Sequence, residues 1–239
     1  MEKIMFYCEI CGLKIRINNR FQMIQTLSRD YIIPPCPAPD ITLGVSNQEI
    51  DAERAKYPQF DDGYHEAIVL FRKLSEKCLS FDIFFLHCAA VSLDGKAYLF
   101  TGKSGIGKST HARLWTEVYP RSFIINGDKP LIRLNGGRFY VFGTPWCGKE
   151  MQQKNTSAPI KAVCFLEQSY DICVRRMAPL EVIGKIFDQT AYQKDTKRNA
   201  QLMALLDKFI TDIPFYLLKC DISEKAVLTA HDAMEVTQQ

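Results

Sequence analysis

Gly102-Lys103-Ser104-Gly105-Ile106-Gly107-Lys108-Ser109 is the stretch on which the reading of this 239-residue chain turns. It has the spacing G-x-x-x-x-G-K-S. The apolar run Ala97 to Thr101 precedes it, and His111, Leu114, Trp115 and Val118 follow at the spacing of one helix face. Glycine is needed here because the turn uses φ values that other residues avoid, and because N–H groups converge on phosphate oxygens only where no Cβ intervenes. In such a loop Lys108 reaches the β- and γ-phosphates, and the Ser109 hydroxyl ligates the accompanying Mg²⁺. A helix opening at Ser109 adds its unsatisfied N–H groups to the same place. The stretch therefore predicts an ATP-type site with Gly102, Ser104, Gly105, Ile106, Gly107, Lys108, Ser109 and Thr110 around the nucleotide.

Working outward, Phe84 to Ser92 and Lys96 to Thr101 are two apolar runs separated by Asp94-Gly95, a strong two-residue hairpin signal. Carried along that register, His87 falls opposite Gly102 and so at the mouth of the loop. A lone histidine on an apolar strand is usually a hydrogen-bonded core residue; the register favours a role near the γ-phosphate instead. Downstream, Ser122 to Gly127 reads as a strand that delivers Asp128 at its end, where a Mg²⁺-binding acid belongs. The competing reading is an acid that opens a turn before Lys129-Pro130. Leu131 to Leu134 and Arg138 to Phe142 form a further hairpin about Asn135-Gly136-Gly137. It leads into the loop Gly143 to Glu150, whose tip carries Lys149, either a stabiliser of the transferring phosphoryl or a solvated surface lysine.

With 47% hydrophobic residues the chain can bury a core without staples, and its formal charge of +3 comes without any long basic run, so nucleic acid is not indicated as a partner. No stretch of eighteen apolar residues suggests a membrane span. Nine cysteines without a secretory signal point to free thiols in the cytoplasm. Cys8 and Cys11 have C-x-x-C spacing, but no second such pair or matching histidine pair supplies further zinc ligands.

Residues 1–60 read as a small β-rich segment with strands at Ile4 to Ile10, Leu13 to Ile17 and Ile41 to Val45, packed on or beside a main domain spanning 61–239. The segment either covers the edge of the main sheet or helps to bind substrate. Asp61 and Asp62 cap a helix with a core face of Ala67, Leu70, Phe71, Leu74 and Cys78, on which His65 is expected to be solvated. Strands at Lys161 to Leu166, Ile172 to Met177 and Phe215 to Leu218 alternate with helices at Pro179 to Thr190, Lys197 to Thr211 and Ser223 to Met234. Arg175 and Arg176 are expected at a solvated sheet edge.

The block from His87 to Ser109, together with Ile125-Asn126-Gly127-Asp128, resembles the catalytic domain of HPr kinase/phosphorylase and its relatives, a group that shares a phosphate-loop fold with the phosphoenolpyruvate carboxykinases. The loop pattern G-x-S-G-x-G-K-S is met in full by residues 102–109, and a histidine on the preceding strand matches His87. The resemblance implies an α/β fold with a mixed sheet bent toward a barrel and helices on one side. It also implies an ATP- and Mg²⁺-dependent kinase acting on a hydroxyl, and a homo-oligomer. Thr110 to Trp115 and the loop Gly143 to Glu150 look closer to smaller relatives that phosphorylate serine in peptides. Gly127-Asp128 stands where HPr kinases usually carry two adjacent aspartates, which leaves Asp128 and His87 as alternative proton acceptors. The expectation is therefore a phosphotransferase with Asp128, His87, Lys108 and Lys149 as catalytic residues and Ser109 and Asp128 as metal ligands. Its acceptor would be a peptide or small protein. A small-metabolite kinase and a nucleotide sensor with little catalysis are the other readings.

Overall fold

The computed structural model describes residues 4–190 and 195–236. The first structural unit begins with β1 (Ile4–Ile10) and β2 (Leu13–Asn19), an antiparallel hairpin closed by Cys11-Gly12, both at positive φ (58° and 74°). Two left-handed residues give the turn whose twist matches the strands it joins. Alternation puts Phe6, Cys8, Ile10, Leu13, Ile15 and Ile17 on one buried face, and burial pushes the Cys8 thiol up to about 12. After α1 (Gln22–Leu27) come β3 (Ile32–Ile33) beside β1 and β4 (Ile41–Gly44) parallel to β2, giving the order β3-β1-β2-β4.

Two helices follow. In α2 (Asn47–Lys56) a reciprocal capping box joins Ser46 and Glu49. The longer α3 (Asp62–Cys78) is capped by Asp61, and its expected core face from Ala67 to Cys78 is buried in the same cluster as the small sheet, so the first unit extends through α3 and past the boundary expected at residue 60. That cluster also takes in Ile83, Leu131 and Trp146 from the rest of the chain. His65, expected to be solvated, is fully buried: the segment Tyr57–Asp61 folds over the start of α3, placing the Tyr57 carbonyl 3.0 Å from Nε2 and Asp62 3.4 Å from Nδ1.

Among the described residues the larger sheet has nine strands. Its elements in chain order are β5 (Ile83–Phe85), β6 (Cys88–Leu93), β7 (Lys96–Thr101), α4 (Lys108–Val118), β8 (Phe123–Asn126), β9 (Leu131–Asn135), β10 (Arg138–Phe142) and β11 (Ser157–Gln168). Then come β12 (Cys173–Arg176), α5 (Pro179–Ile186), α6 (Thr196–Asp212), β13 (Phe215–Cys220) and α7 (Glu224–Glu235). The strand order is β5-β9-β10-β11-β7-β6-β8, with β13 beside β11 and β12 beside β13. Strands β7, β11 and β13 run parallel; the other pairings are antiparallel.

Parallel strands buried on both faces need cover on both, and β7 shows how it is supplied. Ala97 and Leu99 join Val182, Leu206 and Phe209 of α5 and α6, whereas Tyr98 and Phe100 join Trp115 of α4 and Val227 of α7. Helices therefore lie on both sides of the sheet, not on one side as the resemblance implied. A second correction concerns the run Phe84 to Ser92. The Asp94-Gly95 hairpin holds the expected register, Leu93 facing Lys96 and Cys88 facing Thr101. Below Cys88 the chain leaves the ladder, and Ile83–Phe85 pairs with β9 instead. Leu86 and His87 form the crossing, with the His87 N–H donating to Gln189 O at 2.7 Å. Arg175, at the expected sheet edge, makes a two-pronged ion pair with Glu181.

Candidate functional site

The loop between β7 and α4 is shaped by its glycines. Gly107, at φ 105°, is the residue before α4, and a Cβ there would meet no neighbour, so it is the backbone angle and not space that calls for glycine. No side chain caps α4 and no acid stands in its first turn. The free N–H groups and positive dipole end at Lys108 to Thr110 are thus open to an anion. Lys108 is only 7% exposed. Its Nζ turns back to donate to the Gly102 and Lys103 carbonyls at 3.1 and 3.3 Å. Burial lowers its pKa, and the Asp128 charge opposes that shift.

Asp128 follows β8. Its position is set by Asn126, whose Oδ1 accepts the N–H groups of Asp128 and Lys129 at 2.9 and 2.7 Å, an Asx turn. The Asn126 amide nitrogen donates to Thr144 O at 3.0 Å, and the Thr144 hydroxyl donates to Lys129 O at 2.7 Å, so the turn is tied to the loop that follows β10. That loop lies flat on the acid: Gly148, at φ 78°, comes so close that a Cβ there would sit 3.0 Å from the Asp128 Cβ.

One Asp128 oxygen is 3.0 Å from His87 Nε2, and the other contacts Lys129 Nζ. Burial by itself would raise the carboxyl's pKa, but the His87 hydrogen bond and the Lys129 charge bring it down to about 2. His87 is carried by the crossing between β5 and β6, one residue beyond the last hairpin pair, and the Thr101 hydroxyl donates to its carbonyl at 2.9 Å.

These groups share a cavity of about 850 Å³ lined by Ser104, Gly105, Gly107, Lys108, Ser109 and Thr110 of the loop, with His87, Asp128 and Lys129. Lys149 and Glu150 stand exposed on the same cavity. Further wall comes from Pro145 to Gly148 and Met151 of the same part of the chain, and from the first unit through Met23, Leu27, Phe60, Tyr64, Ala67 and Ile68. A second cavity of about 510 Å³ lies against the same loop, sharing Gly105, Gly107 and Thr110 and adding Ile106, Gln168, Ser169, Tyr170, Asp221 and Ile222. Of the expected nucleotide residues, Ile106 lines only the second cavity. Gly102 lines neither and packs against Leu166 O, 3.3 Å from where a Cβ would be.

Lys129, Asn126, Thr144 and Gly148 were not singled out from the sequence. Asn126 two residues before Asp128 is an Asx-turn signal that could have found the first of these ties; nothing local marks Thr144 or Gly148. No group of three His, Cys, Asp or Glu among the described residues could hold a metal alone. Ser109 and Asp128 do line one cavity as oxygen donors, and magnesium is commonly bound by one or two protein oxygens plus substrate phosphates.

No protein-family model matches the chain, and no curated protein does. Among solved structures it is similar to the Hpr(Ser) kinase/phosphatase from Coxiella burnetii at 11% identity, over 62% of this chain and 89% of that one, with a TM-score of 0.36.

Proposed function

We propose that the protein is an ATP-dependent kinase that transfers the γ-phosphoryl group to a hydroxyl, most readily a serine of a peptide or small protein. The observation that carries this reading is the shared cavity in which the glycine loop and Lys108 meet the paired His87 and Asp128. Backbone N–H groups from Ser104 to Ser109 would cradle the β-phosphate. Lys108 would leave its carbonyl partners for the β- and γ-oxygens, where a charge-assisted hydrogen bond contributes about 1.5 to 3 kcal/mol.

In the reaction the acceptor oxygen forms a bond to the γ-phosphorus as the bond from that phosphorus to the β-bridging oxygen breaks, giving ADP and a phosphoester. The hydroxyl proton passes to the His87–Asp128 pair and then to solvent. A carboxyl held at about 2 is a weak base, and a loose phosphoryl-transfer transition state asks for orientation more than for strong proton abstraction. Asp128 therefore aligns His87 and the acceptor hydroxyl. Ser109 and Asp128 would hold Mg²⁺, which when bound neutralises phosphate charge.

The nucleoside would occupy the second cavity, across the loop from the acceptor. Tyr170 and Ile222 there, 98% and 76% exposed, offer an aromatic and an aliphatic face to a base. Nine unpaired thiols agree with work in a reducing compartment. The test is calorimetric titration with Mg-ATP, followed by transfer of label from γ-labelled ATP to serine peptides. Binding with transfer supports the reading. Absence of heat on titration would remove it.

A further inference from the structure

The wall that the first unit contributes to the larger cavity differs in chemistry from the wall opposite. Every charged residue there, His87, Lys108, Asp128, Lys129, Lys149 and Glu150, comes from the loop-bearing part of the chain. The facing residues, Met23 and Leu27 of α1, Phe60, and Tyr64, Ala67 and Ile68 at the start of α3, carry no charge. Phe60 and Tyr64 stack with ring centres 4.2 Å apart and planes 26° from parallel, so that surface is already ordered. Apart from the buried Ala67, these side chains remain partly open to solvent.

We propose that this face of the first unit selects the acceptor, and that the acceptor is a peptide whose serine is flanked by bulky apolar side chains. The proposal rests on the kinase reading above. With the loop, Lys108 and the His87–Asp128 pair occupied by the γ-phosphoryl, an acceptor hydroxyl entering the cavity must turn the rest of its residue toward Met23, Leu27, Tyr64 and Ile68. A charged neighbour would lose water there without gaining a partner, whereas an apolar one is drawn out of water by contact. Two residues that line the cavity, Met23 (36% exposed) and Met151 (59% exposed), are open to solvent, so a chain longer than the cavity can continue out of it. That opening favours a polypeptide over a compact metabolite.

The experiment uses the full chain, γ-labelled ATP and a set of single-serine octapeptides whose flanking residues are Leu or Phe in one group and Gly, Asp or Lys in the other. The expected result is a kcat/KM at least tenfold higher for the apolar group. Met23→Asp, at an exposed position, and Ile68→Ala should each raise the KM for a Leu-flanked peptide several-fold while calorimetric Mg-ATP affinity stays at the wild-type value. Equal use of the two groups overturns the proposal, as does labelling of no peptide by a protein that still binds Mg-ATP. In both cases the nucleotide site stands. Failure to bind Mg-ATP overturns the kinase reading and takes this proposal with it.

Discussion

His87 Nε2 stands 3.0 Å from an Asp128 carboxylate oxygen, although the two residues sit on segments that belong to different strand pairings. His87 lies in the break between β5 and β6, and Asp128 just beyond β8. Strand β6 is the common neighbour of β7 and β8, so the loop after β7 and the acid after β8 are brought to the same end of the sheet. Lys129 approaches the second carboxylate oxygen, leaving Asp128 charged and oriented at the cavity floor.

On the kinase reading, replacing Asp128 by Asn should lower phosphoryl transfer at least tenfold or raise the Mg²⁺ concentration needed for it, since a neutral amide would bind a metal and the His87 ring more weakly than the carboxylate. The same variant has a pH signature. The carboxyl is depressed from 3.8 to about 2 on folding, so its contribution to stability is complete above about pH 4 and is lost as pH falls toward 2. Asp128→Asn should flatten that part of an acid-denaturation curve. Wild-type rate and metal dependence in the variant would take Asp128 out of the site.

Lys108→Ala should cost at least tenfold in turnover, because about 1.4 kcal/mol of lost transition-state stabilisation is enough. The side chain is buried beside the loop and bonded to two of its carbonyls, so part of the loss could come from a slackened loop. Comparing Mg-ATP affinity with turnover separates the two. A fall confined to affinity would mean that Lys108 holds the loop and not the transferring group.

The glycine-rich turn between β7 and α4 and the hairpin before it were legible in the sequence because both depend on local rules: glycines where φ is positive, and a two-residue turn that sets register. The break at Leu86-His87 was not. Ile83 to Phe85 and Cys88 to Leu93 are equally apolar, and only pairing with β9, fifty residues away, separates them. The helix α2 escaped notice because it buries little beyond Ile50 and Glu53, leaving almost no apolar stripe to read. For helices on both sides of the sheet the signal was present in the unbroken apolar runs Ala97 to Phe100 of β7, Ala162 to Leu166 of β11 and Phe215 to Leu218 of β13, but the resemblance pointed the other way. The cavity wall of Met23, Tyr64 and Ile68 is a tertiary product with no sequence mark.

Tyr170→Ala should weaken Mg-ATP binding about tenfold, the value of one lost base-stacking contact of ~1.4 kcal/mol. Affinity for Mg-tripolyphosphate should not change, because the loop alone grips that ligand. Tyr170 is 98% exposed, so its removal leaves the core untouched. Equal affinities of the variant and the wild type for Mg-ATP would place the nucleoside elsewhere.

The last expectation concerns His111, one turn into α4 and 3% exposed. Its Nε2 accepts the Trp115 indole N–H at 3.1 Å, whereas Nδ1 is buried without a hydrogen-bond partner. Burial lowers the ring's pKa from 6.5 to about 4. The unfolded chain therefore binds a proton near pH 6.5 that the folded chain refuses until about pH 4. The stability tied to the neutral ring is complete above pH 6.5, drains away as pH falls through that window and stops falling below it, with an upper limit of about 3 kcal/mol. Urea midpoints measured from pH 7 to 4 should decline in the wild type and decline less in His111→Gln, which retains an acceptor for Trp115 but cannot titrate. Parallel declines in the two proteins would show that His111 does not carry the acid sensitivity.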